Sequence, residues 1–280
     1  MSQVLGNTSG RERCRMIQQG VRVGTKRTFL QESRRFKLMQ TALGSGGEGG
    51  ACDLQIGRFG AVIQNNSVTF QRLSYLHDRE IRTYVWQVPE RSGPTSNDFE
   101  CIPWFYYSTV DMVKDLNSGL VGPLIVCRKD TKENIVHRVL LFLIFDENES
   151  WYTEENINTY AQEPNQVDRN DITFKRSNRM HAINGRMFAN NQGLVFHVGS
   201  EVNWYLIGIG DESGLHTVHF HGHSFVFTDM GAFRSDVYDL PPGSYQTVKM
   251  YPKDVGIWLF HCHVNVHIGA GMESVYTVIE

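Results

Sequence analysis

The 280-residue chain has no run of 18 or more apolar residues, and its most apolar stretch, VLLFLIF from Val139 to Phe145, is strand-sized and ends in DENES. A membrane-crossing helix needs about 20 consecutive apolar residues, so none is expected. The opening residues, MSQVLGNTSGRERCRMIQQG, lack the apolar centre of a secretory leader. Charge of one sign is also wanting: 27 Lys and Arg stand against 30 Asp and Glu, a net charge of −3. That near-balance gives no electrostatic reason to bind nucleic acid. Cysteine is sparse, at positions 14, 52, 101, 127 and 262, and the odd count leaves at least one thiol unpaired. What is present, 41% hydrophobic and 20% charged residues, suffices for a buried core and excludes global disorder.

The texture changes along the chain. Residues 1–40 carry nine Lys and Arg against Glu12 and Glu32, and GSGGEGG at 44–50 has the composition of a flexible linker. Residues 1–57 are therefore expected to be an extension unrelated to the rest and without a stable fold. Residues 58–81 offer one strand candidate, SVTFQRLSYL. From about Arg82 the pattern is all-β. TYVWQV alternates and is followed by the turn PERSGP, and GLVGPLIVCRK and HRVLLFLIFDEN read as buried strands. YTEENINTYA reads as a short helix. LVFHV, EVNWYLIGI, TVHFHGHSFVF, SYQTVKMYP, GIWLFHCH and SVYTVIE read as further strands. Many short strands between Gly, Pro and Asp turns favour a β-sandwich over a parallel α/β sheet. The block 137–280 holds enough strands for one complete domain, whereas 58–136 holds only part of one.

Seven of the eleven histidines fall between 216 and 267, interleaved with Cys262 and Met272 in LHTVHFHGHSF and WLFHCHVNVHIGAGM. Such crowding is not what core packing selects. Side chains alternate across a strand, so His261 and His263 point one way and Cys262 the other. His219 and His221 share a face in the same manner. Two sites back to back are expected: His216, Cys262, His267 and Met272 in one, and His219, His221, His261 and His263 in an all-imidazole second. Cys with two His and a weak axial Met is the ligand set of a blue-copper centre. Cys with His also suits zinc, although the Met and the surplus of histidines argue against a closed zinc site. His77, His137 and His197 are read as structural.

The strings HTVHFHGHSF, DVYDLPPGSYQTVKMYP, GIWLFHCHVNVHIGAGMESVYTV, MHAINGRMF, FDENESWY and DLNSGLVGPLIVC resemble the multicopper oxidases, in particular vertebrate ferroxidases of the ceruloplasmin and hephaestin type. The resemblance runs from about Arg82 to Glu280. It implies a cupredoxin-like Greek-key sandwich and a chain matching the end of the fifth and all of the sixth domain of a six-domain protein. It implies type 1 copper on His216, Cys262, His267 and Met272, type 2 copper on His219, and type 3 copper on His221, His261 and His263. Cys262 would be the electron conduit, His267 the ligand through which electrons arrive, and Met272 the tuner of potential. Cys101 and Cys127 would form a disulfide, and His223 would support the ligands. The reaction implied is one-electron oxidation of Fe(II) or a similar reductant coupled to reduction of O2 to water, within iron and copper handling.

Several positions depart from the family pattern. The missing N-terminal cupredoxin domain would supply two further HxH pairs to the oxygen-reducing cluster, and no such pairs occur here; Tyr107, Ser108 and Thr109 stand where a cluster-bearing domain would read HSH. His181 keeps the histidine of the iron site, but Arg176 and Val266 occupy its acidic positions, and Gly269 replaces a further histidine. This chain alone is therefore not expected to complete the four-electron reaction. A single blue-copper electron-transfer module is the alternative, and a copper-free structural relative ranks below both. The family context implies a secreted parent, or one on the outer face of a membrane, and Asn7, Asn65 and Asn148 head glycosylation sequons.

Overall fold

The computed structural model describes residues 90–108, 110–210 and 214–280, together with three three-residue strands, β1 (Arg15–Ile17), β2 (Ala51–Asp53) and β3 (Val85–Gln87). Apart from β1 and β2, the expectation for 1–57 lies outside the described residues, as do the SVTFQRLSYL strand and His77. The remaining strands are β4 (Cys101–Tyr107), β5 (Val121–Cys127), β6 (Val136–Asp146), β7 (Arg179–Ile183), β8 (Val195–His197), β9 (Val202–Gly208), β10 (His216–Phe220), β11 (Phe225–Thr228), β12 (Ala232–Ser235), β13 (Val237–Leu240), β14 (Ser244–Met250), β15 (Gly256–Cys262) and β16 (Glu273–Ile279). Four short helices join them: α1 (Met112–Asn117), α2 (Thr153–Tyr160), α3 (Ile172–Ser177) and α4 (Asn265–Gly269).

The fold is an all-β sandwich. A five-stranded sheet in the order β13-β10-β15-β16-β8 faces a six-stranded sheet in the order β12-β11-β14-β9-β6-β7. Pairing is antiparallel except at β6–β9 and β8–β16. The core between the sheets takes Leu140, Phe142, Trp204 and Leu206 from one and Val218, Phe220, Phe260 and Tyr276 from the other. Trp204 is fully buried, with its ring 5.1 Å from Phe220 and 5.9 Å from Phe260. This aromatic layer lies beside the inward positions of β10 and β15, where the metal-ligating residue types fall.

The VLLFLIF run is apolar throughout because both of its faces are covered. Leu140 and Phe142 face the core between the sheets, while Val139, Leu141, Leu143 and Phe145 meet the β4–β5 hairpin through Cys101, Val121, Ile125 and Cys127. Strand β9 divides in the same way, with Trp204 and Leu206 on one side and Tyr205 and Ile207 on the other. A Cys101–Cys127 disulfide closes the hairpin.

Several elements differ from the sequence expectation. Strand β4 was not expected, since CIPWFYY contains Pro103, which cannot donate to a ladder. TVHFHGHSFVF divides into β10 and β11 at a bend where Gly222 has φ +73°; a Cβ there would meet the Trp258 ring at 2.2 Å. Strands β7, β12 and β13 and helices α1, α3 and α4 were likewise not anticipated.

Polar ties also fix the hairpin to the sheet. Asn203 Nδ2 donates to Glu100 Oε1 at 2.8 Å, and Lys249 Nζ lies 3.0 Å from Glu100 Oε2 and 2.6 Å from Glu201 Oε1. Thr247 Oγ1 donates to the Cys101 carbonyl. Burial alone would raise the Glu100 carboxyl, but the hydrogen bonds from Asn203 and Lys249 outweigh it and hold the group below its ordinary 4.5. A depressed carboxyl contributes stability above its unfolded pKa and loses it as pH falls through the folded one. Glu100→Gln should lower stability by about 1–2 kcal/mol near neutral pH, judged from the net worth of charged hydrogen bonds. In urea denaturation the difference from the parent should shrink as pH falls below 4.5; a difference constant with pH would contradict the linkage.

Candidate metal centre

The site is built by the ladder between β10 and β15, in which Val218 pairs with Cys262 and His219 with His261. Because side chains alternate, His216, Val218 and Phe220 point into the sandwich with Phe260 and Cys262, while His219 and His261 point outward. After Cys262 the chain turns through α4 and returns. His267 N–H bonds to Val264 O at 2.9 Å, Met272 N–H to His267 O at 3.0 Å, and Cys262 N–H to Met272 O at 3.0 Å. These three bonds fold residues 262, 267 and 272 onto one another.

The inner group is compact and dry. Cys262 Sγ lies 3.4 Å from His267 Nδ1 and 3.8 Å from His216 Nδ1. Cys262, His216 and Met272 are fully buried, and His267 is 4% exposed. Donors sharing one tetrahedral ion at about 2.0 Å (N) and 2.3 Å (S) sit about 3.5 Å apart, so the thiol and both imidazoles fit a single ion. Burial, with lesser contributions from His267 and His181, pushes His216 down to about 3. Burial and Arg179 lower His267 as well, and burial raises the Cys262 thiol. The group without metal therefore consists of two neutral imidazoles and a protonated thiol.

The outer group gathers His219, His221 and His261, whose ligating atoms all lie within 4.8 Å of one another. His221 Nε2 is 3.1 Å from His261 Nε2. His263 stands at its rim, with its ring 5.6 Å from His219 and 5.3 Å from His261. His219 Nδ1 is 3.1 Å from the Asp236 carbonyl and His261 Nδ1 is 3.0 Å from the Cys262 carbonyl, which leaves their Nε2 atoms for a ligand. Burial first, then His219 and His263, lowers His221.

The other singled-out residues are placed as follows. His181 packs on His267 with ring centroids 5.1 Å apart, and its Nδ1 has no hydrogen-bond partner. His223 is outside both groups; its Nδ1 lies 2.7 Å from Tyr276 Oη, which donates to the His221 carbonyl. Tyr276 and Trp258 thus frame the His221 bend, a role that only the inward parity of SVYTVIE and the Gly222 turn could have signalled. His137 Nδ1 meets Tyr205 Oη at 2.6 Å and His197 Nδ1 meets the Glu280 carbonyl at 2.5 Å. Asn148 spends its amide on Asp146, Lys175 O and Asn178. Among the described residues no helix is long and apolar enough to cross a membrane.

Residues 161–280 match the family model described as "Multicopper oxidase". Ceruloplasmin of Homo sapiens is 60% identical over 206 residues, 72% of this chain and 19% of the relative. Hephaestin of Rattus norvegicus is 50% identical over 208 residues, 71% of this chain and 18% of the relative. The chain thus spans about a fifth of the length of these curated relatives. The crystal structure of the blue copper oxidase from Nitrosomonas europaea superposes with a TM-score of 0.50 at 19% identity, covering 75% of this chain and 63% of that one, and speaks for the fold alone.

The protonation states predict the stoichiometry of metal uptake. Near neutral pH, copper(I) binding to the inner group should displace one proton, from Cys262, and none from His216 or His267. Affinity should then rise roughly tenfold per pH unit below the thiol pKa, as for any ligand that must lose one proton. Proton release measured by pH-stat titration of a His219→Ala/His221→Ala variant checks this; a release of zero or two protons would contradict it.

Proposed function

Because residues 161–280 belong to the multicopper oxidase family, we propose that this chain is the copper-binding part of a ferroxidase-like oxidase. Residues 137–280 form its complete cupredoxin domain and residues 58–136 part of another. His216, Cys262, His267 and Met272 hold the type 1 copper, His219 contributes to a type 2 site, and His221, His261 and His263 contribute to a type 3 pair. The oxidase oxidises Fe(II) or a similar reductant one electron at a time and passes the electrons to O2. The parent protein works outside the cell or on its outer surface.

The observation that carries this reading is the adjacency of the two groups through Cys262. Copper, when bound, supplies the one-electron chemistry; the chain supplies position. Cys262 offers its thiolate inward while its peptide neighbours His261 and His263 join the outer group, so only a few covalent bonds separate the two. The buried inner group excludes water and presents soft and imidazole donors, which select copper over hard cations. A single electron-transfer module would have no use for the outer group, so convergence of His219, His221 and His261 favours the oxidase over that alternative.

The outer group also supports a partner. Ile257 and Leu259 share the outward face of β15 with His261, and Ile257 is 73% exposed; Val195, two strands away, is 46% exposed. An exposed apolar face ending at half a ligand set is suited to a second cupredoxin domain that covers it and supplies the remaining histidines. The copper-loaded chain alone should therefore accept electrons from ascorbate but show no sustained oxygen uptake with Fe(II) or an aromatic amine. Sustained turnover in an oxygen electrode would overturn the requirement for a second domain.

A further inference from the structure

The three imidazoles of the outer group are not held alike. His219 and His261 rest their Nδ1 atoms on the Asp236 and Cys262 carbonyls, so each ring is oriented by a bond of its own. Among the described residues His221 Nδ1 makes no such bond, and the ring meets only His261, Nε2 to Nε2 at 3.1 Å. His221 also stands just past the β10–β15 ladder. Its N–H bonds to Leu259 O at 2.9 Å, and Gly222 then turns the chain away at φ +73°. Strand alternation alone therefore does not set where this ring points.

The main chain of His221 is fixed instead. Its carbonyl accepts from Tyr276 Oη at 3.1 Å, and Tyr276 is fully buried in the core. His223 Nδ1 lies 2.7 Å from the same hydroxyl. The Asp254 N–H points at His223 Nε2 at 3.5 Å, so Nε2 is the acceptor and Nδ1 carries the ring proton. The bonds thus run one way: Asp254 N–H to His223, His223 Nδ1–H to Tyr276, and Tyr276 O–H to the His221 carbonyl. A hydroxyl that already accepts from His223 has its own proton left for the carbonyl, and each bond polarises the next. Trp258 completes the support. Its ring stands edge-on to His223 at 4.8 Å, and its Nε1 donates to the Asp254 carbonyl at 3.0 Å. A Cβ at position 222 would strike the same indole. The peptide after His221 is thus hemmed by the indole and tied by the hydroxyl.

We propose that Tyr276 is a positioning residue for the outer metal group, oriented by His223 and acting through the His221 carbonyl to keep the His221 ring turned toward His261. Neither Tyr276 nor His223 donates to the ion. This rests on the outer histidines being a copper-binding group. It also gives the second histidine of the HGH string a task that ligation leaves unassigned, and makes the backbone of the Asp254 loop part of the support of the site.

The test is copper(II) affinity of the outer group, followed by EPR titration of the full chain in a Cys262→Ser background that silences the inner group. Tyr276→Phe should weaken that affinity about tenfold, the lower end of what a partner of a metal ligand contributes. In a chain that also carries His221→Ala, Tyr276→Phe should change the remaining affinity no further, because the hydroxyl acts through that residue. His223→Leu should weaken binding several-fold, and His223→Asn, whose amide N–H takes the place of Nδ1–H, should restore most of it. With Cys262 present, Tyr276→Phe should still form the thiolate band at parental intensity, which separates positioning from a general loss of structure. Parental affinity in Tyr276→Phe, a loss that persists beside His221→Ala, an Asn variant as weak as the Leu variant, or a thiolate band lost together with outer binding would each overturn the proposal. Failure of the Cys262→Ser parent to bind copper at the outer histidines would instead remove the reading of that group as a metal site, and this inference with it.

Discussion

The pairing of β10 with β15 is the constraint on which the rest of the site depends. With Val218 opposite Cys262 and His219 opposite His261, alternation sends one set of donors into the sandwich and the other out of it. A slip of one residue in that ladder would move every side chain of the strand to the other face, placing Cys262 outside and His261 within. Each group would then lose the donor that gives it its chemistry. Function is therefore tied to register more tightly than to any single side chain.

Register is held from several sides. Phe220 and Phe260 stack inside the sandwich with ring centroids 5.3 Å apart, against Trp204 from the opposite sheet. Beyond Cys262, the bond from Cys262 N–H to the Met272 carbonyl and that from His263 N–H to the Thr217 carbonyl pin both ends of the α4 loop. On the far side of the six-stranded sheet, the β4–β5 hairpin covers residues that would otherwise present apolar surface to water. The Cys101–Cys127 disulfide and the Glu100–Lys249–Glu201 cluster keep that cover in place. The metal groups thus sit on a five-stranded sheet packed against a six-stranded one that is itself covered on both faces, which suits donors that must keep their separations with or without an ion.

Much of this was legible in the sequence because strand alternation is a strict rule. The run FHCH, read with period two, separates Cys262 from His261, and the VLLFLIF run announces a strand buried on both faces without saying what covers the second. That cover, β4, was obscured by Pro103, which sits in the ladder opposite Ile125. The bend between β10 and β11 was missed because a β-branched and aromatic pattern continues across it; only the glycine at 222 marks the break. The contact of His223 with Tyr276 links residues 53 apart, and no local pattern reports it.

The most direct test of the account is visible absorption and EPR on the copper-loaded chain, with copper counted on the same sample and on Cys262→Ser. The account expects one copper per chain to give an intense thiolate-to-copper band that disappears in the variant. Any further copper bound at the outer histidines should contribute no such band. A colourless copper-loaded chain, or a band that survives in Cys262→Ser, would contradict it.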